Sequence, residues 1–314
     1  MDFNLIIQII LLLVGFLFLI KCSDFFVEGS SSIASILKIP TIIVGLTIVA
    51  FGTSAPEAAV SITSSLTGNN ALAVSNVIGS NLFNILLIIG LCALLKELNI
   101  GEKLLKVDLP FLILITIAVS LFIVIGWNVS RIEGVILLAL LIVYLIYLVR
   151  SARKGSDANH VEKAKLTPLK SIIYIIIGFI GIVLGGNFVV DSASYIAITF
   201  GMSETLIGLT IVAIGTSLPE LVTSLTALRK DENELIIGNV IGSNIFNLLF
   251  VLGSSCTISP ISLSPSLLFD VLLMLFVTVL CFIFAKTESK FDKKEGFILT
   301  ALFITYMAFA ILRN

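Results

Sequence analysis

The chain has 314 residues, of which 58% are hydrophobic and only 12% are charged, and its mean hydropathy is +1.17. Too few polar side chains are available to cover a water-soluble domain of this size, so the composition indicates a polytopic membrane protein. The formal net charge of -1, without a dense basic cluster, excludes nucleic acid as a partner.

Ten apolar stretches follow one another, each near the ~20 residues that cross a bilayer as a helix. They cover residues 4–36, 40–67, 71–95, 108–126, 132–150, 169–200, 203–228, 235–258, 266–285 and 296–312. We therefore expect an all-α membrane protein with about ten transmembrane helices. The chain start lacks the features of a signal peptide, so the first stretch is expected to be a retained helix.

Lysine and arginine are concentrated in alternate connecting segments. The hydrophilic linker 151–168 is basic overall and carries the lone His160, which we interpret as a solvated residue. The positive-inside rule then makes this linker cytoplasmic and places both termini outside. We expect the protein to be integral to the plasma membrane.

The two halves of the chain repeat each other. Gly45 and Glu57 recur as Gly208 and Glu220, in both cases 163 residues later. We expect a first repeat in residues 1–150 with helices 1–5 and a second in residues 169–314 with helices 6–10. Because each repeat has an odd number of spans, the two enter the membrane from opposite sides, as in many secondary transporters.

The first repeated motif places polar residues in the middle of an apolar segment. Residues 45–57 read Gly-Leu-Thr-Ile-Val-Ala-Phe-Gly-Thr-Ser-Ala-Pro-Glu, and residues 208–220 differ at only two positions. Pro56 and its counterpart Pro219 cannot continue an α-helix, which predicts broken helices 2 and 7. Backbone carbonyls freed at such a break are natural cation ligands. In this chain, the backbone carbonyls of Ala50 and Ala213 are candidates for such ligands.

Hydroxyl and carboxylate groups share a helix face within each copy of this motif. Thr53 lies one turn before Glu57, and Thr216 lies one turn before Glu220. Two unpaired glutamates inside a membrane would cost roughly 5–7 kcal/mol on insertion scales, so their repetition beside a proline indicates function.

A second repeated motif supplies amides and hydroxyls. Asn76, Ser80 and Asn84 are spaced i, i+4, i+8 and form a polar stripe on one helix. The stripe recurs as Asn239, Ser243 and Asn247. We expect the four polar faces to converge near the middle of the membrane, with Gly79 and Gly242 allowing close helix packing. For Asn76, Asn239, Asn81 and Asn244, structural hydrogen bonding is an equally good interpretation.

The combined donor set contains only oxygens. Carboxylate, carbonyl, amide and hydroxyl oxygens, without thiolate or imidazole, suit Ca²⁺ or Na⁺ and disfavour zinc, copper or iron. Two glutamates supply a charge of -2, which one Ca²⁺ or several Na⁺ ions can neutralise. The four cysteines stand singly, so no redox, zinc or other cofactor is expected.

Together, the paired Gly-Thr-Ser-x-Pro-Glu and Asn-x-x-Gly-Ser-Asn-x-x-Asn motifs resemble the two alpha-repeats of the calcium/cation antiporter superfamily. The resemblance is closest to its prokaryotic sodium/calcium exchangers. It implies two inverted five-helix repeats, ions held between the second and third helices of each, and first and sixth helices that slide against that core. The ion ligands that it implies are Glu57, Glu220, Thr53, Thr216, Ala50, Ala213, Ser54, Ser217, Ser80, Ser243, Asn84 and Asn247.

The resemblance therefore implies a sodium/calcium antiporter with Ca²⁺, Na⁺ and membrane lipid as its partners. Some family members carry an aspartate at one of the positions Asn84 and Asn247, so a proton-linked step is in doubt here. The alternatives are a proton- or potassium-linked exchanger of the same superfamily and a calcium-selective channel. No membrane-embedded catalytic group accompanies the glutamates, so an enzyme is not expected. The oligomeric state is open, although a monomer is sufficient for the site.

Overall fold

A computed structural model describes residues 3–68, 70–126, 128–154, 164–202, 213–262 and 267–313. The first half consists of α1 (Phe3–Leu37), α2a (Thr41–Thr53), α2b (Ala55–Leu66), α3 (Asn70–Leu82, Phe83–Ile89 and Gly90–Leu95), α4 (Leu104–Asp108 and Leu109–Gly126) and α5 (Arg131–Lys154). The second half consists of α6 (Pro168–Thr199), α7a (Ala213–Thr216), α7b (Leu218–Arg229), α8 (Asn233–Phe246, Asn247–Val251 and Leu252–Ile258), α9 (Leu268–Thr287) and α10 (Lys293–Arg313).

The predicted membrane architecture is confirmed. Within the described residues, 8 helices are long and apolar enough to cross a membrane. The number rises to 9 if α2a and α2b, which are bent by 49° at their junction, together form one span. Residues 203–212, which open the predicted seventh span, lie outside the described part of the chain. His160 and most of the linker lie outside it as well.

Two small sheets show that the repeats are inverted. Strand β1 (Leu98–Asn99) pairs with β4 (Lys290–Phe291), and β2 (Asn128–Val129) pairs with β3 (Ile261–Ser262). Paired strands lie at the same face of the membrane, whereas β1 and β2 lie at opposite ends of α4. Since β1 and β3 occupy equivalent positions in the two repeats, equivalent segments lie at opposite faces.

The two longest helices, α1 and α6, pack along each other with their backbones in contact. A Cβ added to Gly15 would lie 2.9 Å from the carbonyl oxygen of Gly185, and one added to Gly185 would lie 2.8 Å from that of Gly15. With 35 and 32 residues, these helices measure about 50 Å at 1.5 Å per residue. They are longer than the ~30 Å hydrocarbon core and must tilt.

Helices α3 and α8 form the centre of the molecule. The most apolar part of α8 is 94% buried and that of α3 is 78% buried, against 11% for α1. Gly242 lets α8 approach α2a, because a Cβ there would lie 2.7 Å from Leu46 Cα. The packing role predicted for Gly242 is confirmed. For Gly79, the equivalent partner is residue 209, which is outside the described residues.

The fourth span begins earlier than the apolar stretch 108–126 predicts, because the π-helical turn Leu104–Asp108 precedes it. Asp108 is fully buried in this turn and accepts a hydrogen bond from the Tyr144 hydroxyl at 3.0 Å. Its repeat counterpart, Asp270, lies in the first turn of α9, where Arg313 pairs with it.

Candidate ion-binding site

Both motifs with proline produce a helix break at a serine. In the first repeat, Ser54 separates α2a from α2b with φ -84° and ψ 10°, and the proline lies in the first turn of α2b. In the second, Ser217 separates α7a from α7b with φ -93° and ψ 6°. A proline in the first turn of a helix is tolerated because the amide it lacks would have no partner there. Each break therefore starts a new helix whose first turn carries a buried glutamate, Glu57 or Glu220.

The two breaks meet through hydrogen bonds that cross between the repeats. Ser217 Oγ donates to Glu57 Oε1 at 2.9 Å, and Ser54 Oγ donates to Glu220 Oε1 at 2.8 Å. All four residues have no exposed surface. The structure therefore brings the two predicted acids into one cluster, and each acid accepts its shortest hydroxyl hydrogen bond from the opposite repeat.

Both glutamates use one carboxylate oxygen and leave the other unsatisfied. No donor among the described residues reaches four fully buried oxygens, which are Glu57 Oε2, Glu220 Oε2, Asn84 Oδ1 and Asn247 Oδ1. Buried polar atoms in folded proteins are almost always hydrogen-bonded. These four unsatisfied acceptors form two pairs related by the repeat. A bound cation would supply the interaction that each of them lacks.

The remaining predicted residues line the same region. Ser80 Oγ lies 3.1 Å from Ser217 Oγ and 3.5 Å from Glu57 Oε1. Thr53 Oγ1 lies 3.5 Å from Ser243 Oγ and 3.0 Å from Asn239 Oδ1.

The threonine of the second repeat and the two predicted backbone ligands complete the set. Thr216 Oγ1 lies 3.5 Å from Asn76 Oδ1. Ala50 O accepts the Ser54 amide at 3.0 Å and the Thr53 hydroxyl at 3.4 Å. Ala213 is the first described residue of α7a, and its side chain is outside the described residues.

The side-chain amides of Asn76 and Asn239 each donate to one backbone oxygen and one side-chain oxygen within their own repeat. Asn76 Nδ2 donates to Glu57 O at 3.2 Å and to Ser61 Oγ at 2.9 Å. Asn239 Nδ2 donates to Glu220 O and to Ser224 Oγ in the same way. These amides fix the glutamate-bearing helix against α3 or α8. The sequence analysis did not identify Ser61 and Ser224, although their separation of 163 residues marks them as repeat counterparts.

Electrostatically, the cluster is acidic. Neither glutamate forms an ion pair in the described part of the chain. No three His, Cys, Asp or Glu side chains gather there either, so the described donors are two carboxylates supported by neutral oxygens. Such a donor set favours a hard cation. Paired helix breaks around buried oxygens, in an inverted repeat, define a membrane ion transporter.

Comparisons with known proteins agree with this class. The model of the family described as sodium/calcium exchanger protein matches residues 7–150 and 170–312. The chain is 42% identical to the putative antiporter CaxA of Alkalimonas amylolytica, with 82% of each covered. It is 36% identical to the inner membrane protein YrbG of Escherichia coli K12, with 95% of each covered.

The fold is similar to that of a solved exchanger. A structure of the sodium-calcium exchanger NCX_Mj, soaked with Na⁺ and Sr²⁺, matches with a TM-score of 0.87 and 32% sequence identity. The match covers 97% of this chain and 98% of that one. The chain therefore belongs to the sodium/calcium exchanger family, and the predicted recognition is confirmed.

Proposed function

We propose that the chain is a sodium/calcium antiporter that exchanges Na⁺ for Ca²⁺ at the site between Glu57 and Glu220. Family membership supports antiport, and the similar NCX_Mj is described as a sodium-calcium exchanger. The observation that carries the proposal is the set of four buried, unsatisfied oxygens at the crossed helix breaks. The ions are cargo, and no cofactor is required.

Charge balance explains why the two ions compete. Two carboxylates in a dry site hold a charge of -2, which is costly unless cations neutralise it. One Ca²⁺ does so alone, whereas Na⁺ ions must enter as a group. Because the same oxygens serve both cargoes, each ion displaces the other.

We propose ligand roles that follow the family resemblance and are supported by the contacts described above. We assign Glu57 and Glu220 as ligands shared by both ions, with Thr53 and Thr216 beside them. One peripheral Na⁺ position would use Ala50, Ser54 and Ser80. The equivalent position in the second repeat would use Ala213, Ser217 and Ser243. Asn84 and Asn247, whose side-chain carbonyl oxygens have no donor among the described residues, would line the centre.

Alternating access is supported by an asymmetry between the two faces of the membrane. At the turn between α7b and α8, Lys230 Nζ lies 2.9 Å from Asp24 O and 3.3 Å from Glu28 Oε2 of α1, and Arg229 pairs with Asp24. We call these contacts the α1 latch.

The opposite face has no such latch in the described part of the chain. The equivalent turn begins Leu66-Thr67-Gly68, without charge, and no described hydrogen bond or ion pair joins α6 to α2b. The arrangement fits a transporter closed at the latch face, in which α1 and α6 move together to reverse access.

Orientation follows from the distribution of charge. Lys96, Lys230 and Lys290 make ion pairs at the face that holds β1 and β4. We propose that this face is cytoplasmic, with both termini outside and the protein in the plasma membrane. The proposed division is a first repeat in 1–150, a cytoplasmic linker in 151–168 and a second repeat in 169–314. A monomer is sufficient for the site.

The test is ⁴⁵Ca²⁺ uptake into liposomes that contain the purified protein. Na⁺-loaded liposomes diluted into Na⁺-free medium should take up Ca²⁺, and Glu57→Gln or Glu220→Gln should abolish uptake. Glu102→Gln is the matched control, since Glu102 is exposed and pairs only with Lys106 among the described residues.

Other outcomes would contradict the proposal in distinct ways. Uptake driven equally by a proton gradient, or only with K⁺ present, would favour the other exchangers of the superfamily. Ca²⁺ flux without a counter-ion would indicate a channel. Wild-type exchange by either glutamine variant would refute the ligand assignment.

A further inference from the structure

Four asparagines form a crossed network between α3 and α8, in which Asn84 and Asn247 follow the site residues Ser80 and Ser243 by four residues. Asn84 Nδ2 donates to Asn244 Oδ1 at 2.9 Å, and Asn247 Nδ2 donates to Asn81 Oδ1 at 3.3 Å. All four side chains are nearly or fully buried. Each pair joins one repeat to the other, so the network links the two inner helices of the molecule.

Both Asn84 and Asn247 donate through their amide nitrogens to this network and leave Oδ1 without a donor in the described residues. A reversed amide would aim its N–H groups at the site and would repel a cation. The orientation of these two amides therefore decides whether the site presents a ligand or a repulsive group.

That orientation is anchored by groups that can only accept hydrogen bonds. Asn244 Nδ2 donates to the backbone carbonyl of Asn81 at 3.3 Å, which requires Asn244 Oδ1 to face Asn84. Asn81 Nδ2 donates to the thioether of Met274 at 3.7 Å, which requires Asn81 Oδ1 to face Asn247. Since neither a carbonyl nor a thioether carries a proton, the direction of each chain of donors is fixed.

We propose that Asn244 and Asn81 are positioning residues that hold the carbonyl oxygens of Asn84 and Asn247 toward the ion cage. This inference rests on the proposed function and assigns these two asparagines a task beyond helix packing. Partners that orient metal ligands typically change affinity about 10–100-fold when they are removed.

The two anchors differ in strength. The anchor of Asn244 is a backbone carbonyl, whereas that of Asn81 is a sulfur atom on α9, and sulfur is a weak acceptor. The repeat counterpart of Met274 is Leu112, which has no acceptor in its side chain. Replacing Met274 by leucine conserves volume and removes only the anchor, so its effect should be smaller than that of replacing either asparagine.

The first experiment measures the Ca²⁺ concentration for half-maximal Na⁺-driven uptake and the thermal stabilisation of purified protein by Ca²⁺. Asn244→Leu should raise the half-maximal Ca²⁺ concentration at least tenfold and reduce the stabilisation, and Met274→Leu should raise it about two- to fivefold. Thr278→Val is the control, because Thr278 is buried on α9 and bonds its own helix. It should change neither value by more than twofold.

A second variant separates orientation from packing. Asn84→Asp has oxygen at both ends of the side chain, so it no longer needs to be oriented. In that background, Asn244→Leu should raise the half-maximal Ca²⁺ concentration less than threefold. Equal effects in both backgrounds, or an unchanged value in Asn244→Leu alone, would overturn the positioning role. If the wild-type protein itself shows no Na⁺-driven uptake, the proposed function fails instead.

Discussion

Removing the charge of Lys230 tests the α1 latch directly. Its ammonium group contacts Asp24 O at 2.9 Å, Glu28 Oε2 at 3.3 Å and Asp24 Oδ1 at 3.8 Å, and its side chain is 25% exposed. A charged hydrogen bond contributes about 1.5–3 kcal/mol when buried, and an exposed ion pair contributes 0.2–1 kcal/mol. For a partly exposed group, Lys230→Ala should therefore weaken the latch by about 1–2 kcal/mol, or 5–30-fold in the ratio of the two access states.

The assay is a distance measurement by pulsed electron spin resonance in a background without the four cysteines. Labels at Leu37, on the end of α1, and at Lys293, on the start of α10, lie at exposed positions. Lys230→Ala should increase the population of a second distance, and high salt should have the same effect on the wild type by screening the ion pairs.

The matched control is Lys106→Ala, which removes a charge whose partner lies four residues away within the same segment. It should leave the distance distribution unchanged. An equal shift in both variants, or no response of the wild type to salt, would refute the latch.

Three further predictions concern the packing and charge of the core. Ser217→Ala should lower the unfolding temperature of ion-free protein, since Glu57 loses a donor worth about 1.5–3 kcal/mol, and Ca²⁺ should restore part of the loss. Gly242→Ala should destabilise the protein by about 1–3 kcal/mol, because its Cβ would lie 2.7 Å from the backbone of α2a. Gly101→Ala should not destabilise the protein, because a Cβ added there would have no neighbouring side chain or backbone within 4 Å in the described residues. Arg313→Leu should cost about 1–2 kcal/mol, seen by thermal unfolding in detergent, by removing the partner of a buried aspartate.

Much of the fold could be predicted from spacing alone. The separation of 163 residues between Glu57 and Glu220 predicted the inverted repeat, and the prolines beside them predicted both helix breaks. Such features are local, or they repeat at a fixed interval, so a single sequence contains them. The fourth span was predicted to begin too late, at residue 108, because hydropathy does not register the π-helical turn Leu104–Asp108 that lengthens the helix.

The contacts between the repeats could not be predicted in this way. The interval identifies equivalent residues, but it does not say which residues touch. Ser217 contacts Glu57, not its own glutamate, and Asn84 contacts Asn244, not its equivalent Asn247. These pairings depend on how helices far apart in the chain pack. The ion pairs of the α1 latch were likewise open, because opposite charges in sequence do not specify a partner.

The crossed serine–glutamate bonds have a consequence for fragments of the chain. If the gene were divided within the linker, each product would contain an acid whose shortest hydroxyl hydrogen bond comes from a serine encoded by the other. Co-expression of the two halves should therefore reconstitute a complete cage, whereas either half alone should bind no ion. A substitution of the serine at one helix break would be compensated most directly by a change at the glutamate that it contacts, which lies in the opposite fragment.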